Sequence, residues 1–370
     1  MGEGLVAGTG AAGLRPAVDI VISNHNYGEY LEQAIESACS QSHPDVRVIV
    51  VDDGSTDDSR DRLRRYEDRI DVVLKENGGQ ASAFNAGMER AEGDLVIFLD
   101  ADDVLCSHAA TAVADAFAAD PAASRVQFRL AVIDAAGHAT GVTKPPPHLQ
   151  PPTGDLRREE LTFPYDLPWL PSSGSAFRSS AIRRILPVPE REYPLCADFY
   201  VVHLSALLGT AAWIDDVCAR YRVHGRNGFE QLEPRLSLSH VRDTVVYADA
   251  TSTALLRLAD ELGLEHPDRI LSLSDLGNRL ISLRLEPERH PIPGDRVRTL
   301  LVDAVRAAVR RFDRTRPVRL ALLGWCVAVA ASPRPLVRWL GELLLFPDAR
   351  RAWVNRILGR LYRTKGGRSA

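Results

Sequence analysis

Four short apolar runs, each leading into a polar or acidic cluster, constrain this chain more than any other feature. Val18-Asp19-Ile20-Val21-Ile22 leads to Asn24-His25-Asn26-Tyr27-Gly28, and Val46 to Val51 ends at Asp52-Asp53-Gly54-Ser55-Thr56-Asp57. Asp71 to Leu74 passes into Asn77-Gly78-Gly79, and Leu95 to Leu99 stops at Asp100-Ala101-Asp102-Asp103. Such β-branched runs favour strands buried on both faces. Between them lie helical spacings: Tyr30 to Ser40 with apolar Leu31, Ala34, Ile35 and Ala38, a stretch to about Tyr66 capped by Ser55 and Asp57, and one ending near Arg90. Strand-helix alternation of this kind implies βαβ units and a mainly parallel sheet flanked by helices, an α/β fold. Ligands bind such sheets beyond the carboxyl ends of the strands. The clusters at Asn24–Asn26, Asp52–Asp53 and Asp100–Asp103 are therefore expected to converge.

Downstream, Ser107 to Ala119 reads as a helix and Val126 to Ile133 as a strand, while five prolines between Lys144 and Thr153 forbid regular structure. Strand-like Ser175 to Phe177, a helix from Phe199 and a strand Val217 to Val223 follow. Beyond about Gly228 the pattern is helical: Leu232 to Leu262, Asp268 to Leu285 and Arg296 to Phe312. This divides the chain into a tail (1–17), an α/β domain (18–228) and a helical C-terminal region (229–370).

Composition excludes several classes. A net charge of −4 argues against a nucleic-acid partner, which calls for a basic excess. Five widely spaced cysteines without a Cys-x-x-Cys fit free thiols in a reducing cytoplasm. Met1 to Ala17 lacks the basic start and apolar core of a leader. The longest clean apolar run, Leu320 to Ala331, is 12 residues, short of the roughly 20 that span a bilayer.

The ordered set Ser23-Asn24-His25-Asn26-Tyr27, Val51-Asp52-Asp53-Gly54-Ser55-Thr56-Asp57, Asn77-Gly78-Gly79, Asn85-Ala86-Gly87, Gly93-Asp94, Asp100-Ala101-Asp102-Asp103, Asp198 and Tyr221-Arg222-Val223-His224 resembles family-2 glycosyltransferases with the GT-A fold. The resemblance runs from Val18 to about Asn227. It implies an inverting transferase that moves one sugar from a nucleotide-sugar, a UDP- or dTDP-sugar by preference, to an acceptor hydroxyl on a glycan, lipid-linked or natural-product acceptor. It also implies a divalent metal, Mg²⁺ or Mn²⁺, which neutralises the diphosphate leaving group.

On that resemblance Asp102 is the principal metal ligand, with His224 contacting the metal or pyrophosphate, and Asp100 lies near ribose and metal. Asp53 reads a pyrimidine base, Ser23 and His25 flank the nucleotide, and Asn85 belongs to the same nucleotide-sugar set. Arg222 or Arg226 would neutralise phosphate charge, and Asp198 is the base that takes the acceptor proton. The family usually shows Glu-Asp there, whereas this chain has Cys196-Ala197-Asp198. Structural roles compete at several positions: Asp103 as a cap for a helix from Val104, Asp53 in an Asx turn, and Asp198 as the cap of the helix at Phe199. Tyr165 and Trp169, in the acceptor-side stretch Lys144 to Pro171, could stack on a sugar or simply pack.

Two motifs mislead. Gly8-Thr9-Gly10-Ala11-Ala12-Gly13 matches a dinucleotide fingerprint but is not preceded by a strand or followed by a helix. Pro335-Leu336-Val337-Arg338-Trp339 is similar to the Gln-x-x-Arg-Trp of processive synthases but lacks the glutamine. A sugar-1-phosphate nucleotidyltransferase is the first rival function, although Asn24 to Gly28 is not its Gly-rich basic loop. A non-catalytic nucleotide-sugar-binding module is the second. Finally, Arg314 to Ala370 carries 12 basic and two acidic residues, leaving −14 on residues 1–313. Interleaved with Trp325, Trp339 and Trp353, that charge suits peripheral contact with the inner face of an anionic membrane. It equally suits helices packed on the rest of the protein with solvated arginines.

Overall fold

The computed structural model describes residues 15–228 and 236–345. The tail's first 14 residues, with the Gly8–Gly13 motif, and the end of the basic segment, with Trp353, lie outside the described residues.

The chain starts with β1 (Val18–Asn24), α1 (Gly28–Cys39), β2 (Val46–Asp53), α2 (Ser59–Leu63), β3 (Asp71–Lys75), α3 (Gln80–Arg90) and β4 (Leu95–Asp100). It continues through β5 (Val104–Leu105), α4 (Ala109–Ala119), β6 (Ala123–Asp134), β7 (Ala139–Lys144), α5 (Arg157–Glu160), β8 (Ser175–Arg178), α6 (Ser179–Ile182), α7 (Ala197–Leu208) and β9 (Thr210–Val223). Five helices follow: α8 (Leu238–Leu262), α9 (Leu273–Leu285), α10 (Val297–Arg310), α11 (Arg316–Ala331) and α12 (Arg334–Leu345).

The strands form one sheet in the order β3-β2-β1-β4-β8-β6-β9-β5, with β7 on β6. Around β1 the expected parallel sheet is present: β1 pairs β2 and β4, and β2 pairs β3, all parallel. The other half mixes directions: β4–β8, β6–β8, β6–β7 and β5–β9 are antiparallel, while the longest pairing there, β6 with β9, is parallel, so the sheet stays mainly parallel. The antiparallel pairs arise because β7 folds straight back on β6 and β8 is inserted between β4 and β6.

Apolar residues on alternate faces of β1 separate two cores. Ile20 and Ile22 pack with Leu31 and Ile35 of α1 and Val113 of α4, whereas Val21 joins Phe84 and Met88 of α3 and Tyr200 of α7. Tyr247, Leu255 and Leu258 of α8 belong to that second core, so the first helix after residue 228 completes the cover of the sheet. A third core unites α9 to α12 through Leu276, Leu280, Leu300, Cys326, Val329 and Val337. In the described part of the basic segment the packing reading applies to α11: the Trp325 ring lies against Gly277, and its Nε1 donates to the Leu340 carbonyl at 3.0 Å. No helix among the described residues is long and apolar enough to cross a membrane.

Candidate active site

A cavity of about 900 Å³ opens at the carboxyl ends of β1, β2 and β4. Ser23, His25, Asp53, Asp100 and Asp102 line it from the strand ends, and Asp198 from the first turn of α7. Register explains the convergence: Ser23 stands opposite Asp100, and Asn24 opposite Asp52. A slip of one residue would turn these side chains to the other face of the sheet.

Asp100 is held from three sides. Its Oδ1 accepts from Gln80 Nε2 at 3.0 Å and Ser23 Oγ at 3.3 Å, and its Oδ2 from Ser172 Oγ at 2.8 Å. Burial, then repulsion from Asp102 and Asp198, pushes its pKa up to about 7. The Oδ2 of Asp102 meets His224 Nε2 at 2.9 Å and Asn227 Nδ2 at 3.2 Å. The His224 ring is stacked on Tyr30 with centroids 5.0 Å apart. Asp103 accepts the Arg222 backbone N–H at 2.7 Å and leads into β5, not a helix, so its capping role does not hold. Burial and the neighbouring Asp102 and Asp100 hold its pKa well above the usual carboxylate range.

Asp198 sits two residues inside the helix, whose N-cap is Cys196 in the left-handed conformation (φ 60°). It therefore does not cap α7 in the way weighed from the sequence. Its Oδ2 accepts the Ser172 N–H and its Oδ1 the Phe199 N–H, both at 2.9 Å. Burial raises its pKa, opposed by those donors. The result is a fixed, desolvated carboxylate on the cavity wall, more basic than one in water.

Asp53 accepts from Lys75 Nζ at 2.6 Å, Gly78 N at 2.9 Å and Gly79 N at 2.7 Å. The carboxylate thus organises the 77–79 loop, with capacity left for about one further donor. Gly79 is needed there: its φ is +86°, and a Cβ would lie 2.5 Å from the Pro194 carbonyl oxygen. His25 Nδ1 donates to the Asp53 carbonyl at 2.8 Å, which fixes its ring at the cavity. Asp57 accepts from Ser59 N at 3.0 Å at the start of α2, but Ser55 Oγ braces Asn24 and Asn26 and caps nothing.

Two expected residues are elsewhere. Asn85 faces away from the cavity, with Nδ2 donating to the Val188 carbonyl at 2.9 Å and Oδ1 accepting the Val188 N–H at 2.8 Å. Arg222 is 1% exposed and does not line the cavity. Its guanidinium bonds the carbonyls of Asp102, Asp134 and Ala135 and the Gln33 amide oxygen, beneath the Tyr30 ring. Both are reassigned to structure because the alternation of β9 and the rotation of α3 point them inward. Gln80, Ser172 and Asn227 were missed. Gln80, which directly follows Gly78-Gly79, bridges Asp100 and the Ala197 N–H (2.8 Å). Only the fold brings Ser172 within reach of both Asp100 and Asp198.

Residues 19–186 match the family model described as "Glycosyl transferase family 2". The chain carries a family-2 glycosyltransferase domain. An uncharacterised glycosyltransferase of Nostoc sp. is 33% identical over 214 residues, 57% of this chain and 66% of that protein. A putative teichuronic acid biosynthesis glycosyltransferase of Bacillus subtilis, TuaG, is 46% identical over 93 residues, 24% of this chain and 37% of its own length. The chain thus spans just under two thirds of the first of these relatives and about a third of the second. The fold is of the GT-A type. Residues 1–349 of S. aureus TarS, solved with UDP-GlcNAc, share it at a TM-score of 0.52 and 15% identity, covering 91% of this chain and 93% of that one.

Proposed function

We propose that this protein transfers one sugar from a UDP- or dTDP-sugar to an acceptor hydroxyl, with inversion at the anomeric carbon. The observation that carries the reading is the meeting of Asp100, Asp102 and Asp198 on one cavity at the strand ends. TarS, of the same fold, was solved with UDP-GlcNAc, which supports a nucleotide-sugar donor.

The donor set suits a divalent cation shared with the substrate. Among the described residues no three His, Cys, Asp or Glu side chains are arranged to ligate an ion. Mg²⁺, however, is commonly held by one or two protein carboxylates plus substrate phosphates. Asp102, with His224 beside it, would hold the ion, and the crowding that raises the Asp100 pKa is what a cation would relieve. When bound, the ion supplies Lewis-acid neutralisation of the diphosphate.

The chain's own residues account for the rest. Ser23, His25 and Asp53 form the nucleotide side of the cavity, and Asp198 accepts the acceptor proton as its oxygen attacks the anomeric carbon. The bond from that carbon to the diphosphate oxygen breaks on the opposite face, releasing the nucleoside diphosphate. The acceptor is a sugar or a lipid-linked glycan, in keeping with the biosynthetic role in the name of the B. subtilis relative.

Peripheral contact with an anionic membrane is a finer reading. It is supported by exposed Leu320, Val327, Leu336 and Trp339 near exposed Arg316, Arg334 and Arg338. Sedimentation with phosphatidylglycerol vesicles at low salt checks it, and full-length protein left in the supernatant would exclude it.

The donor reading is tested by thermal shift with UDP- and dTDP-sugars, with Mn²⁺ or with EDTA. Stabilisation is expected only with the metal, and stabilisation equal in EDTA would remove the metal role of Asp102.

A further inference from the structure

Helix α7 carries Asp198, yet it does not cap its own start. Its N-cap residue, Cys196, makes no side-chain capping bond. The first N–H groups of a helix lack intrahelical partners and need an acceptor from elsewhere. For Ala197, the first residue of α7, that acceptor is Gln80 Oε1 at 2.8 Å. Gln80 is the first residue of α3, and Nε2 of the same amide donates to Asp100 Oδ1 at 3.0 Å. One planar group thus joins a carboxylate of the donor site to the helix that holds the base.

The backbone around Gln80 tightens this joint. Gln80 N donates to the Pro194 carbonyl at 2.8 Å and Ala81 N to the Tyr193 carbonyl at 3.3 Å, so the start of α3 grips residues 193–197. Gly78 N and Gly79 N, immediately before Gln80, donate to Asp53 at 2.9 and 2.7 Å. Gly79 also lies so close to Pro194 that a Cβ would not fit between them, and a shift of the loop is passed to Pro194. Residues 78–80 therefore touch both Asp53 and Asp100 on the donor side and the segment that sets Asp198.

The geometry points to Gln80 as a positioning residue that couples occupancy of the donor site to the setting of the base. The coupling rests on the transferase reading above and adds how one half of the site senses the other. A nucleotide bound across Asp53 and Asp100 restrains the loop between them at both ends. The Gln80 amide passes that restraint to the Ala197 N–H, so the first turn of α7 is most ordered when the donor is in place. Phe199 N and Ser172 N already hold Oδ1 and Oδ2 of Asp198, so ordering that turn fixes the direction the carboxylate presents to an incoming hydroxyl. Glutamine suits the task because its amide donates at one atom and accepts at the other. An ionised glutamate would accept from Ala197 but repel Asp100.

Hydrogen exchange on the full chain tests the coupling, read by mass on residues 193–202 with and without saturating UDP and Mn²⁺. Calorimetry reads UDP affinity separately. In the wild type, UDP should slow exchange at Ala197 to Phe199 at least about tenfold. Gln80→Leu keeps the bulk and removes both bonds, while Gln80→Asn keeps an amide too short to span them. In each variant the UDP-dependent slowing should disappear, with UDP affinity reduced no more than about tenfold, the scale of one lost hydrogen bond. A bridge with only a structural role would speed exchange equally with and without UDP and leave their ratio as in the wild type. That result in either folded variant, or a wild-type segment indifferent to bound UDP, overturns the coupling. If the wild type does not bind UDP at all, the donor reading fails instead, so the two failures are distinguishable.

Discussion

The sheet region and the helical region reach the large cavity by different routes. Strands β1, β2 and β4 line it directly, because parallel register sets their polar ends side by side. Among the described residues, helices α8 to α12 contribute no side chain to its wall. They act on it from behind, through α8 packed on Tyr193 and α7 and through the segment of residues 163–174. Asp166 accepts the Leu273 and Ser274 N–H groups at 3.0 and 2.8 Å at the start of α9, and pairs with Arg311 at 2.8 Å. The same segment then delivers Ser172 to both Asp100 and Asp198. One region thus supplies functional groups and the other supplies their positions, so damage to each should show in different measurements.

The largest expected effect is in the lining itself. Asp198→Asn preserves shape but removes the base, and turnover should fall about 10²- to 10⁴-fold with donor affinity unchanged. Near-normal turnover would move the base elsewhere.

Asp166→Asn attacks the support. It removes one carboxylate that pairs with Arg311, leaving Asp313, and a hydrogen bond to a charged group is worth about 1.5–3 kcal/mol. Chemical denaturation should show that loss, with turnover reduced more than UDP affinity. If UDP binding fell equally, the helical region would be acting on the donor side too.

Ser172→Ala is milder, since it removes the hydroxyl bond to Asp100 but keeps the backbone bond to Asp198. A net loss of about 0.5–1.5 kcal/mol, about 2- to 12-fold in donor affinity, is expected. An effect confined to turnover would show that Asp100 positions the sugar for reaction and does little for binding.

The pH profile gives a smaller effect with a definite sign. Burial raises the Asp198 pKa, and only the ionised form accepts a proton. Turnover should therefore be lost as pH falls through that raised pKa, with an acid limb above the usual carboxylate range near 3.9. An acid limb at or below that range would contradict the assignment. Asn85→Ala should leave UDP affinity unchanged while lowering stability, because its partners are Val188 backbone groups.

The α/β nature of the first half was legible because it depends on local pattern: β-branched runs, helical spacing and polar residues where strands end. The positions of Asp53, Asp100, Asp102 and Asp198 followed from the same pattern and the family resemblance. His224 beside Asp102 followed only from the resemblance, and the structure supplied the contact. The mixed half was less visible, since β5 is only two residues long and its pairing depends on β9, more than 100 residues away.

What the sequence determined by itself was therefore the set of groups and the end of the sheet on which they gather. Polar clusters directly after the apolar runs mark the carboxyl ends of the strands, and parallel pairing sets those ends side by side. The tertiary structure decided the direction each remaining side chain faces. Arg222 and Asn85 look like ligand-binding groups in one dimension but have their hydrogen-bonding capacity used by backbone groups up to about 120 residues away. Ser172 looks ordinary and yet touches two of the central carboxylates. Hydrogen-bond satisfaction in a buried site is a property of the assembled neighbours, and no local pattern encodes it.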